Sequence, residues 1–165
     1  MAKPKFSAVF ALALLPPLAP VRAAEDDGIA RMAMCRDSWF EWQSKEPARL
    51  KAFGEHFRAD FVPKGTDGSF VPKTTRSILG LRILRVYPGS VGMGVGFSLF
   101  VDAPFDTARD ALTHRFGKPL EKCETSDGMR TCGLELAAQR TLTLMSSDDP
   151  KTSETLIGCY YFYEK

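Results

Sequence analysis

Four cysteines, two histidines and a scatter of aspartates are the residues of this chain whose types could support chemistry. The cysteines stand at Cys35, Cys123, Cys132 and Cys159. Eight residues separate Cys123 from Cys132, which matches neither the close pair of a zinc knuckle nor the Cys-x-x-Cys of a thiol oxidoreductase. In an exported chain an even number of cysteines reads as a disulfide framework, and oxidised cysteines supply no nucleophile. His56 and His114 fall on separate predicted helices, outside any His-Glu-x-x-His arrangement, and read as solvated. Asp102, Asp106 and Asp110 cluster at the start of a predicted helix, where acids are expected for capping and for the macrodipole. A working acid–base pair would instead need two environments that drive the pKa values apart. Gly92, Gly94 and Gly96 alternate within a strand pattern, so the phosphate-cradling turn of a dinucleotide site cannot form. No catalytic residue, metal ligand or cofactor is expected.

One stretch, CETSDGMRTC from Cys123 to Cys132, carries a firmer inference. Asp-Gly between extended residues signals a two-residue type I′ hairpin. With Asp127 and Gly128 as the turn, Ser126 faces Met129, Thr125 faces Arg130, Glu124 faces Thr131, and the two cysteines face each other. Opposed pairs alternate along an antiparallel ladder, so the cysteines form a non-hydrogen-bonded pair with Cα atoms about 4.5 Å apart, within reach of a disulfide. Cys35 is left to pair with Cys159. Loop-closure arithmetic assigns roughly 2.5 to 3 kcal/mol to the short bridge and roughly 4.5 to 5 to the long one.

The N-terminus supplies the export. Lys3 and Lys5 precede an apolar run from Phe6 to Leu15, then prolines and a small-residue site at Val21 to Ala23, the pattern of a signal peptide spanning residues 1–23. The run is shorter than the roughly 20 residues a spanning helix needs. Removing it takes away three basic residues and leaves 19 basic against 20 acidic, so nothing electrostatic favours nucleic acid. Residues 24–165 are expected to form a single periplasmic or secreted domain with no integral membrane segment, as a monomer.

The elements that must position these residues follow from periodicity. Ile29, Met32, Cys35, Trp39 and Trp42 form one helical stripe, and Leu50, Phe53, Phe57 and Phe61 a second behind Pro47. Residues 62–76, with Phe-Val-Pro-Lys at 61–64 and again at 70–73, read as a mobile loop with an edge strand near Ser69 to Lys73. Ser77 to Tyr87 and Met93 to Val101 read as strands joined by a turn at Tyr87 to Ser90. A third helix runs from Pro104 to Phe116 and stops at Gly117. The hairpin follows, then a strand at Thr141 to Met145 and a last one at Thr155 to Tyr163. The expected fold is α+β, in the order ααββαββββ, with a helical hairpin and one further helix on an antiparallel sheet of five or six strands and two disulfides.

Two surfaces remain as binding candidates. Ile157, Cys159 and Tyr161 face the helical hairpin. Leu156, Tyr160 and Phe162 point the other way, beside Gly94 and Gly96, where they form either an apolar groove for a small apolar ligand or a surface covered by the third helix. The hairpin tip, with Asp127, Met129 and Arg130, is preordered for a protein contact. The expected function is a non-catalytic binding or protective role. An inhibitor of an envelope or exogenous enzyme acting through the 123–132 hairpin is the alternative, and an enzyme of unrecognised type the second.

Overall fold

A left-handed residue interrupts the first expected helix. In the computed structural model, which describes residues 28–91, 94–137, 139–149 and 151–161, α1 (Gly28–Ala33) ends in a turn where Cys35 has φ 58. Ser38 then caps α2 (Trp39–Lys45), accepting a hydrogen bond from the Glu41 amide at 3.4 Å. Ile29, Met32, Cys35 and Trp42 are all buried, and the Trp39 side chain lies outside what is described, so these four members of the stripe mark a buried face that conceals a break. The break aims Cys35 at Cys159, with Cα atoms 5.1 Å apart. After Glu46, α3 (Pro47–Asp60) opens on its proline as expected.

Nine strands, not five or six, and four helices, not three, make up the α+β fold among the described residues. The segment 62–76 holds the expected edge strand near Ser69 to Lys73, as β2 (Ser69–Pro72), but is otherwise more ordered than the mobile loop expected. Here β1 (Phe61–Lys64) and β2 pair as a hairpin, Phe61 with Pro72 and Lys64 with Ser69. The two copies of Phe-Val-Pro thus lie against each other at the sheet edge, where a proline removes no interior hydrogen bond. A further short strand, β3 (Ser77–Ile78), turns through Leu79 and Gly80, both at positive φ, onto β4 (Leu81–Val91).

The expected turn at Tyr87 to Ser90 is absent. Pairing between β4 and β5 (Gly94–Asp102) continues through those residues to Val91 with Gly94. Pro88 is tolerated because β2 meets β4 only at Phe70 and Val86, so beyond that point no strand is waiting for its missing donor. After α4 (Phe105–Phe116), closed by Gly117 at φ 67, come β6 (Glu121–Ser126), β7 (Met129–Ala137), β8 (Arg140–Ser147) and β9 (Glu154–Tyr161).

The sheet order is β1-β2-β4-β5-β9-β8-β7-β6. Two meanders, each preceded by a helix, therefore meet through their last strands. The seam is antiparallel, with Phe97 opposite Cys159 and Gly96 opposite Tyr160. Cys35–Cys159 fastens the first helix across it. Both outer edges are unsuited to strand addition. On one side β1 is four residues long and carries Pro63, and on the other β6 is exposed along its whole length and charged.

All four helices bury residues in one cluster, which also holds Phe97, Leu99, Val101, Leu142, Leu144, Ile157 and Cys159. The third expected helix, now α4, joins it through Phe105, Ala108 and Leu112. It therefore lies on the Cys159 side of the sheet and does not cover Leu156 and Tyr160. No helix among the described residues is long and apolar enough to cross a membrane. The expected signal peptide at 1–23 lies outside the described residues, as does Phe162.

Candidate functional site

The break between α1 and α2 creates the most developed site in the described structure. Asp37, in the turn, is only 6% exposed. Its carboxylate accepts from Arg31 Nε at 2.5 Å and Nη2 at 3.1 Å, and from Arg49 Nη2 at 3.2 Å. A buried carboxylate needs such partners, since an unpaired one would be costly to desolvate. Its backbone carbonyl is held as well, by the Tyr161 hydroxyl of β9 at 2.7 Å. Burial pushes the Tyr161 phenol above its ordinary value, keeping it a donor.

Arg49 is placed from two sides. Its guanidinium lies 4.4 Å over the Trp42 ring, and Nη1 donates to Glu46 at 3.3 Å. Trp42 meets Phe53 edge-on, with ring centroids 5.6 Å apart, and Phe53 stacks toward Phe57 at 6.1 Å. Both phenylalanines reach Phe97 on the sheet. Trp42, Phe53 and Phe57 floor a cleft of about 250 Å³ between α1 and α3, with Arg31, Asp37, Arg49 and His56 among its walls.

The arrangement suits binding. An apolar floor takes the body of a small molecule, and Arg49 spends two of its five donors on Asp37 and Glu46 among the described residues. A planar fork beside an aromatic floor recognises a carboxylate or another flat oxygen pair. No cluster of three or more His, Cys, Asp or Glu side chains able to hold a metal ion occurs among the described residues.

The two sites expected from sequence take other forms. Gly96 faces Tyr160 across the seam, and a Cβ on Gly96 would stand 3.1 Å from the Tyr160 ring. The Tyr160 hydroxyl shares a 2.9 Å hydrogen bond with Ser98. Thus the space above the glycine holds the chain's own tyrosine. Leu156 and Tyr160 are 8% and 5% exposed, whereas the backbone of Gly94 pairs with Val91 at the far end of β5.

At the hairpin, Asp127 and Gly128 adopt the expected positive φ values, and Cys123 is bonded to Cys132 with Cα atoms 4.1 Å apart. The tip does not stand clear of the sheet, because Met129 pairs with Ser147 and the Asp148 amide donates to Gly128. Arg130 bonds Asp106 at 3.1 Å and covers the Phe105 ring at 4.3 Å. Of the three tip residues, Met129 is the exposed apolar one.

Sequence reasoning missed Arg31, Asp37 and Arg49. They come from three elements with no shared period, and the one local signal was Asp37-Ser38, a pair suited to starting a helix. No protein-family model, curated protein or solved structure matches the chain.

Proposed function

We propose that the protein is an exported, monomeric, non-catalytic binding protein whose ligand occupies the cleft between α1 and α3. The observation that carries this reading is the buried Asp37 carboxylate, which sets Arg31 and Arg49 at the wall of an aromatic-floored cleft. Most small-molecule sites share that character, being mostly apolar with a few fixed polar groups. The ligand class it fits is a small, flat apolar molecule carrying a carboxylate or sulfonate. Two disulfides support the exported setting. The protected sheet edges support the monomer.

The test uses anilinonaphthalene sulfonate, a flat apolar anion, with Trp42 as donor in a Trp39→Phe background so that one tryptophan reports. Saturable energy transfer from Trp42 is expected. Arg49→Met should weaken binding roughly tenfold, about the worth of one charge-assisted pair; it also takes one of two arginines from Asp37 and should lower the melting temperature, so affinities are compared well below both transitions. Absence of transfer up to about 1 mM probe, or equal affinity in the Arg49 variant, would refute the site.

A further inference from the structure

The two disulfides lie in opposite surroundings. Cys35 and Cys159 are 6% and 0% exposed, locked between α1 and the centre of the sheet. Cys123 is exposed on β6 while its partner Cys132 is 2% exposed on β7. A second cleft, of about 140 Å³, opens beside this pair, and Phe105, Arg109, Glu124 and Arg130 share its walls with both cysteines. Arg109 and Arg130 both bond Asp106, and Arg109 also reaches Asp110 at 3.6 Å.

We propose that Cys123–Cys132 is a site of thiol–disulfide exchange with a small anionic thiol, which modifies Cys123 and unlatches β6 while Cys35–Cys159 stays closed. Exchange begins with attack of a thiolate on one sulfur, so access decides which bond reacts and at which atom. The thiolate attacks Cys123 Sγ, a new sulfur–sulfur bond forms there, and the Cys132 sulfur leaves as a thiolate that takes up a proton. A second thiol then attacks the mixed disulfide, giving the free Cys123 thiol and the oxidised small thiol. Two electrons pass from two small thiols to the protein bond. Arg109 and Arg130 set two guanidiniums in the cleft beside both sulfurs, partly offset by Asp106, Asp110 and Glu124, and an anionic thiol approaching through it meets them.

Besides the disulfide, β6 is held by its ladder to β7 and by an ion pair from Lys122 to Glu135 at 3.0 Å, both open to water, and the latch follows from that exposure. Each of its six residues is exposed, and its pairing with β7 is irregular between Glu121 and Glu124. Leu120, just before it, is 6% exposed and anchors the chain, so release is confined to residues 121–126.

The experiment exposes the native protein to increasing glutathione below its unfolding transition, then alkylates it and maps the thiols by mass spectrometry. Glutathione is expected on Cys123, with the Cys35–Cys159 peptide intact and faster hydrogen exchange limited to 121–126. An adduct on Cys132, equal or earlier opening of Cys35–Cys159, or no adduct at all would overturn the proposal. A second arm addresses the cleft itself. Arg109→Gln should slow reaction with glutathione about three- to tenfold relative to the neutral 2-mercaptoethanol, as expected for loss of steering charge. Equal effects on both thiols would remove the arginine from the account. A Cys132→Ala variant, if folded, should take glutathione from its oxidised form at Cys123, and failure of that folded variant to do so would count against the site.

Discussion

In the first meander six rings, Trp42, Phe53, Phe57, Phe61, Phe70 and Phe97, form a continuous chain of contacts beside the buried aliphatic residues Ile83, Val86, Leu99 and Val101. In the second the buried residues are chiefly aliphatic, with Leu112, Leu120, Leu134, Leu142 and Leu144 around Phe105. The topology is similar, a helix followed by four antiparallel strands of the main path, with short β3 added in the first half, yet the larger of the two clefts lies in the first half and the second carries a disulfide at its edge. Interiors pack to crystal-like density whatever their side chains, but rings in edge-to-face contact present flat, apolar faces wherever the packing stops at the surface. The two halves thus differ in the side chains that face their clefts more than in topology.

The comparison depends on the seam that both halves share, and breaking the seam should have the largest effect. A Cβ on Gly96 would lie 2.0 Å from the Cys159 carbonyl oxygen, a backbone atom with nowhere to move. Gly96→Ala should destabilise by at least about 3 kcal/mol, read from denaturant unfolding. Gly133 lies inside the second half, where the nearest atom to an added Cβ is Thr141 Cγ2 at 3.4 Å. Gly133→Ala should stay within about 1 kcal/mol of wild type. Similar losses from the two would mean that the seam is no tighter than the interior of either half.

A smaller effect is expected on the helix-free side of that seam. Tyr160→Phe strands the Ser98 hydroxyl, which is 0% exposed, and should cost about 1 to 2 kcal/mol. Adding Ser98→Ala should recover part of the loss, since removing both partners is close to neutral. A double-mutant cycle with no coupling would show that the bond does not help join β5 to β9.

The smallest effect concerns acid. Asp106 in the second half is held below its ordinary value of 3.8, first by the hydrogen bond from Arg130. A depressed carboxylate contributes stability above its unfolded pKa and loses it as pH falls through the lower folded value. Acidification below about pH 4 should therefore weaken the α4–β7 clamp, and Asp106→Asn should flatten this part of the acid unfolding curve. Because the group lies at the surface, the shift should also shrink with added salt. An acid limb that is unchanged in the variant would remove the clamp from the comparison.

The hairpin at 123–132 was legible because its determinants are local: a turn dipeptide fixes the register, and the register places both sulfurs. The same holds for α4, with its apolar stripe and its glycine stop. The break at Cys35 was hidden because the buried residues on either side keep helical spacing, and only the reach to Cys159 requires the left-handed turn. Of the two Phe-Val-Pro-Lys copies, the second was legible as an edge strand near Ser69 to Lys73 because prolines forbid a central one, while nothing local states that the first copy pairs with it as β1.

What the sequence determined alone is therefore what short segments decide: turn type, strand alternation, the caps of α4 and the pairing of Cys123 with Cys132. Alternation also put Ile157, Cys159 and Tyr161 on one face of β9. The tertiary structure decided which face of the sheet each helix covers, that two meanders join at β5 and β9, and that Asp37 meets Arg31 and Arg49. Those outcomes depend on contacts between residues distant in sequence, where burial and ring geometry act together and no local period records the result.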